Sequence, residues 1–184
     1  MTIKQFLVEI SQTLDKLKIE YAVSGGVAVS VWGRPRYTAD LDIVIKIESR
    51  EKVEKLAEEL LQKFKVGYLD KETVLAAYKD KSEFNLIEPE YGLKADFFVT
   101  GQDEHQKLEI GRVIKKKIGN SMIRFISPED LIIAKLKWYR ESQSERQLED
   151  IAAVLDTGGI DQKYLNLWIK KLGLEEEWKK AKLL

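Results

Sequence analysis

The sequence predicts an α+β fold, a mixed β-sheet with flanking helices followed by a C-terminal helical bundle. As far as Ile126, segments with helical apolar spacing alternate with short apolar runs of strand length. After Ser127 the apolar pattern is helical throughout. At 184 residues the chain is long enough to bury a real core as one domain or as a core with an appendage. The expected division is residues 1–126 as the α/β core and residues 127–184 as a helical subdomain packed on it.

Composition narrows the chemistry. Formal net charge is zero, from 31 basic and 31 acidic residues, so a large nonspecific grip on nucleic acid is not written into the total. There is no cysteine, which excludes disulfides, thiolate nucleophiles and cysteine-held zinc, and His105 is the single histidine. Any site must therefore use carboxylates, Lys, Arg and backbone. The amino terminus lacks the basic-then-apolar plan of a signal peptide, and no apolar run approaches the roughly 18 residues of a membrane span. The expectation is a soluble, cytoplasmic protein with no membrane partner.

Phe6, Leu7, Ile10, Leu14 and Leu17 recur at helical spacing and predict a helix over Ile3 to Leu17. Ile19 to Ser24 reads as a strand ended by Gly25 and Gly26, a pair that lets backbone approach a ligand closely. Val27 to Trp32 is apolar all round, as in a buried helix, and Gly33 and Pro35 end it. Arg34, Arg36 and Thr38 then lie in a loop from which they could reach phosphate oxygens. If Leu41 to Ile47 is a strand, Asp40 and Asp42 share a face while Leu41 points inward. Two carboxylates forced together repel unless a cation sits between them, and hard oxygen ligands suit Mg²⁺ or Mn²⁺.

Ser49 to Phe64 predicts a scaffold helix packed through Val53, Leu56, Leu60 and Leu61, and Glu72 to Tyr78 a weaker one. Phe84 to Ile87 and Leu93 to Val99 read as strands joined by a turn at Pro89 to Gly92. Asp96 stands between Ala95 and Phe97 on the second strand, a setting that favours a third metal ligand or a general base over an ordinary partner of Lys94. Asp103, Glu104 and Glu109 are expected on the surface. His105 is expected to face solvent from a helix ending near Ile114. Arg112, Lys115, Lys116, Lys117 and Arg124 form the densest basic cluster, which either contacts RNA or keeps a sheet edge from pairing. Met122 to Ile126 reads as the adjoining strand.

Ser127, Pro128 and Asp130 make a helix start with a capping pair, which gives Asp130 a structural role. Leu131, Ile132, Trp138 and Tyr139 are expected to form the apolar face of that helix. Lys135 falls inside this stripe and needs a negative partner there, a carboxylate or a nucleotide phosphate. In the next helix, Ser144 to about Leu155, Leu148, Ile151, Ala152 and Leu155 pack, while Arg146 and Asp150 stand four residues apart as a pair. After Gly158 and Gly159 come Tyr164, Leu165, Trp168, Ile169 and Leu172, then a last helix with Trp178. These aromatics are expected to be packing.

Gly25-Gly26, a spacer from Val27 to Ala39, and Asp40-Leu41-Asp42 together resemble the nucleotidyltransferase superfamily, of the DNA polymerase beta-like fold. Gly33, Arg36 and Thr38 resemble the G-x-x-R-x-T-x-D-L-D form of bacterial and archaeal members related to the AbiEii-type toxins. Glu129 to Ile132, Lys135, Trp138-Tyr139-Arg140, Arg146-Gln147 and Asp150-Ile151 resemble the carboxy-terminal signature of the same family. The resemblance implies a mixed sheet and Mg²⁺-dependent transfer of a nucleoside monophosphate from an NTP to an acceptor hydroxyl. It also implies Asp40, Asp42 and Asp96 at the metal, and Ser24, Gly25, Gly26, Arg36, Thr38 and Lys135 at the nucleotide. Lys135 and Asp150 join the catalytic set, although Arg146-Gln147 stands where the better studied toxins have Arg-Asp. The acceptor is left open among tRNA or another RNA, a protein and a small molecule, as are a cognate antitoxin and the oligomeric state. A catalytically silent nucleotide- or RNA-binding module of the same fold is the alternative.

Overall fold

The computed structural model describes residues 1–64, 69–101 and 104–183. It divides into two compact units, Met1–Val27 with Tyr37–Ile126, and Ala28–Arg36 with Ser127–Leu184.

The first unit is an α/β layer. In chain order it contains α1 (Ile3–Lys16), β1 (Glu20–Val23), the first turn of α2 (Gly25–Trp32), β2 (Asp40–Lys46), α3 (Arg50–Lys63) and α4 (Lys71–Asp80). Then follow β3 (Glu83–Glu88), β4 (Leu93–Val99), α5 (Glu104–Gly111), β5 (Ile114–Ile118) and β6 (Ser121–Phe125). The strands form one sheet in the order β3-β4-β2-β1-β6-β5. It is mixed: β2 with β4 and β1 with β6 are parallel, and the remaining neighbours are antiparallel.

Alternation along the strands builds the core. Leu41, Ile43 and Ile45 of β2 and Ala95, Phe97 and Val99 of β4 are buried, while the residues between them are only half covered. Phe84 stacks on Phe97 at 4.7 Å, adding a cross-strand aromatic pair to this layer. Phe6, Ile10 and Leu14 of α1 and Val53, Leu56 and Leu60 of α3 are fully buried, so the predicted apolar stripes are the packed ones. Leu61 is the exception, half exposed one residue past that stripe.

Several expectations need correction. The weak helix is a regular one, α4, because the Asp70 carboxylate accepts the Thr73 N–H at 2.7 Å and caps it. The helix after it, α5, stops at Gly111, short of the expected end near Ile114, and Ile114 to Ile118 is a strand. Its three lysines are exposed on the edge of the sheet, as the edge-protection reading required. His105 does not face solvent. Its side chain is fully buried, with Nδ1 2.9 Å from Glu109 Oε1, and Glu109 is buried with it. The pair is one helical turn apart on the side of α5 that packs against β1 and β2. Glu104 is exposed as expected, and Asp103 lies outside the described residues.

The second unit is helical: the rest of α2, then α6 (Pro128–Ser142), α7 (Glu145–Leu155), α8 (Gln162–Lys171) and α9 (Glu175–Ala181). Ser127 caps α6 by accepting the Asp130 N–H at 3.1 Å and donates to Asp130 Oδ2 at 2.6 Å. The Tyr164 hydroxyl donates to the other oxygen of Asp130 at 2.6 Å, tying α8 to the start of α6. Asp130 is thus structural. Leu131, Ile132, Ile133 and Leu136 are fully buried, whereas Trp138 is 51% exposed and not part of the packed face. It lies two turns beyond Leu131 at nearly the same angle, where α6 has outrun the core and only Tyr139 is still covered. Gly33 ends α2 against the backbone of α7, since a Cβ there would lie 2.9 Å from the Ala153 carbonyl.

Candidate functional site

The first unit gathers acids on one face of the sheet. The parallel register of β2 and β4 sets Asp40 beside Lys94 and Asp42 beside Asp96. Because facing residues and residues two apart share a side of the pleat, all four side chains belong to the half-covered face. Leu41 and Ala95 occupy the buried face opposite. The start of β2 is pinned locally: the Thr38 hydroxyl donates to the Asp40 carbonyl at 3.1 Å and accepts the Asp40 N–H at 3.2 Å.

Gly25 is indispensable for a reason the sequence does not state. Its φ is +59°, in the left-handed region, and a Cβ there would stand 1.7 Å from Asp42 Oδ2. The Asp42 carboxylate therefore lies directly against the opening turn of α2, while the Ser24 N–H donates to the Asp42 carbonyl at 2.8 Å. Gly26 lies near Thr38, where an added Cβ would make only a tight contact, 3.3 Å from the hydroxyl oxygen. Ser24, Gly25, Gly26, Thr38 and Asp42 are one cluster, built from a strand end, a helix start and a loop.

Asp96 is brought beside Asp42 by register, and Lys94 Nζ is 2.8 Å from Asp96 Oδ1. This contact with Asp96, reinforced by the charges of Asp96 and Asp40, pushes the Lys94 ammonium above its usual range. Among the described residues, no three acids stand together as a ready metal-binding group. The donor chemistry nevertheless fits a hard divalent cation: carboxylate oxygens on a single sheet face, one of them cradled where a Cβ would otherwise stand.

The second unit has its own charged cluster. Lys135 and Asp150 are almost fully buried, and Lys135 Nζ is 2.9 Å from Asp150 Oδ2. The Arg36 guanidinium pairs with the same oxygen. Asp150 is therefore not a surface partner of Arg146, because α7 turns it inward beside Ile151. Two cations share one carboxylate, and Arg36 Nε is buried without a hydrogen-bond partner among the described residues. Such a cluster carries excess positive charge and an unused donor, which an anion would satisfy. Lys135 sits in the apolar stripe as the 100° rule requires. Arg36 as the second cation was not legible, because pairing of residues 114 apart leaves no trace in local pattern.

The profile of a family described as "Nucleotidyl transferase AbiEii toxin, Type IV TA system" matches residues 5–181. The chain belongs to the AbiEii nucleotidyltransferase family. No curated protein matches the chain. Among solved structures, an antigenic nucleotidyltransferase-like protein from Paracoccidioides brasiliensis is 22% identical, with TM-score 0.56 over 96% of this chain and 91% of that one. The antibiotic-resistance factor ANT(2'')-Ia is 15% identical, with TM-score 0.61 over 96% of each chain. The lincosamide antibiotic adenylyltransferase LnuA is 16% identical, with TM-score 0.54 over 86% of this chain and 98% of that one. At these identities the likeness is one of fold. This AbiEii-family protein is a nucleotidyltransferase with the expected mixed sheet and helical carboxy-terminal part. Among its described residues no helix is long and apolar enough to cross a membrane.

Proposed function

We propose that the protein is a Mg²⁺-dependent nucleotidyltransferase that moves a nucleoside monophosphate from an NTP to an acceptor hydroxyl, Mn²⁺ serving in place of Mg²⁺. The observation that carries this reading is the placement of Asp40, Asp42 and Asp96 on one sheet face, with the Gly25 turn held against Asp42. Asp40 and Asp42 would hold the cation, and Asp96 would complete its ligands or serve as base. When bound, the cation supplies neutralisation of triphosphate charge.

The chain's own groups divide the remaining work. The opening turn of α2 presents backbone amides of Gly25 and Gly26 to phosphate, as helix starts do. Thr38 fixes the start of β2 and so the aim of Asp40. Lys135 and Arg36 supply positive charge for a phosphate, and Asp150 orients both. In the reaction the acceptor oxygen forms a bond to the α-phosphorus, the bond from that phosphorus to the pyrophosphate oxygen breaks, and the hydroxyl proton passes to a carboxylate, Asp96 in the base assignment. The family description supports a toxin with a cognate antitoxin, and the acceptor is a tRNA or other RNA, a protein or a small molecule.

The test is transfer from each α-labelled NTP, with Mg²⁺, to cellular RNA, cellular protein and small hydroxylated acceptors. Labelled product is expected, with Asp40→Ala or Asp42→Ala lowering its rate by about a hundredfold or more. Transfer unchanged in either variant would sink the metal assignment. One observation favours a second reading, a silent nucleotide-binding module: Asp96 already has a partner in Lys94. That reading predicts calorimetric nucleotide binding with no transfer to any acceptor.

A further inference from the structure

Lys94 stands inside the acid face. Register sets it directly beside Asp40, its Nζ is 2.8 Å from Asp96 Oδ1, and Asp96 in turn lies beside Asp42. The Asp96 side chain is 14% exposed and that of Lys94 38%, so the carboxylate is the more covered partner. Neither residue is at an edge, since β4 lies between β3 and β2. An ammonium set beside Asp40 and paired with Asp96 occupies, with its positive charge, the face where a cation would sit.

We infer that Lys94 is a positioning residue that acts as an internal counter-ion, holding Asp96 against itself until a divalent cation takes its place. The inference rests on the assignment of Asp40 and Asp42 as cation holders and extends it to how that site is filled. Like-charged carboxylates on one face repel, and Lys94 relieves this in the absence of metal. An arriving cation must separate Lys94 from Asp96, so its affinity is lower than it would be without the lysine. Once displaced, the ammonium remains on the face where a triphosphate carries its negative charge, and phosphate oxygens are ready acceptors for it. The ordinary alternative is a partly exposed ion pair of little consequence.

The two are separated by titrating Mn²⁺ into nucleotide-free protein and following the loss of the free Mn²⁺ resonance signal. The proteins are wild type, Lys94→Met, Lys94→Gln, Asp96→Asn and the Lys94→Met/Asp96→Asn double variant, each checked for folding by circular dichroism. Removing the ammonium is expected to tighten Mn²⁺ binding about three- to tenfold, and Mn²⁺ should raise the thermal midpoint of Lys94→Met by more than that of wild type. In the Asp96→Asn background the Lys94 substitution should change affinity by less than about twofold, because the masked ligand is gone. Unchanged affinity in both Lys94 variants overturns the inference. So does an equal gain with and without Asp96, which would mark a general charge effect. Asp42→Asn is the separate control: if it leaves Mn²⁺ binding intact, the assignment of the cation to this face fails, whatever Lys94 does. If no protein in the set binds Mn²⁺, both fall together.

Discussion

Asp150 pairs with two cations through one oxygen, and the consequences of removing each partner differ. Lys135→Met leaves the carboxylate paired with Arg36 and fills the apolar stripe with a thioether of similar length. Asp150→Asn leaves Lys135 and Arg36 charged, almost covered and facing each other. Breaking a buried pair by removing the shared partner costs about 3–5 kcal/mol. Asp150→Asn should therefore lower the urea unfolding free energy by roughly that amount, and Lys135→Met by about 1 kcal/mol or less. Equal losses would mean that Arg36 contributes nothing to the cluster. Lys135 could be read from its angle on α6, and its need of a negative partner from its burial. The identity of that partner could not, because Asp150 has Arg146 four residues away as its local choice and only the fold of α7 turns it inward.

At the scale of elements, β5 is the least expected and the most instructive. Three consecutive exposed lysines on an edge strand leave its outer hydrogen-bonding groups open to another chain, and their charge discourages that pairing. Replacing Lys115, Lys116 and Lys117 by threonine keeps strand propensity and removes the repulsion. The variant should associate in a concentration-dependent way, seen by light scattering at salt where the wild type does not. A variant that scatters no more than wild type would return the lysines to a role in binding. Strongly periodic elements such as α1, α3 and β4 were legible within a residue or two, because burial dictates their pattern. β5 was not, since an edge strand exposed to water carries no apolar alternation to read. His105 was misread for the opposite reason. Its neighbours are polar, and burial came from the docking of α5 on β1 and β2 and not from local sequence.

For the molecule as a whole, the order of motifs along the chain was enough to give the family and the mixed sheet, whereas the partners within each cluster needed coordinates. Register explains the difference. That Asp42 lies beside Asp96, and that Lys94 comes with it, follows from how two strands about fifty residues apart align, and a shift of one residue would send one set of side chains to the other face. In the proposed site Asp40 and Asp42 hold the catalytic cation at the opening turn of α2. The most direct measurement is anomalous diffraction at the manganese edge from crystals grown with Mn²⁺ and a nonhydrolysable NTP. The expected result is a peak bonded to oxygens of Asp40 and Asp42, with Lys94 no longer in contact with Asp96 and the triphosphate at the Gly25-Gly26 turn. A peak bound to nucleotide but remote from both carboxylates would contradict it.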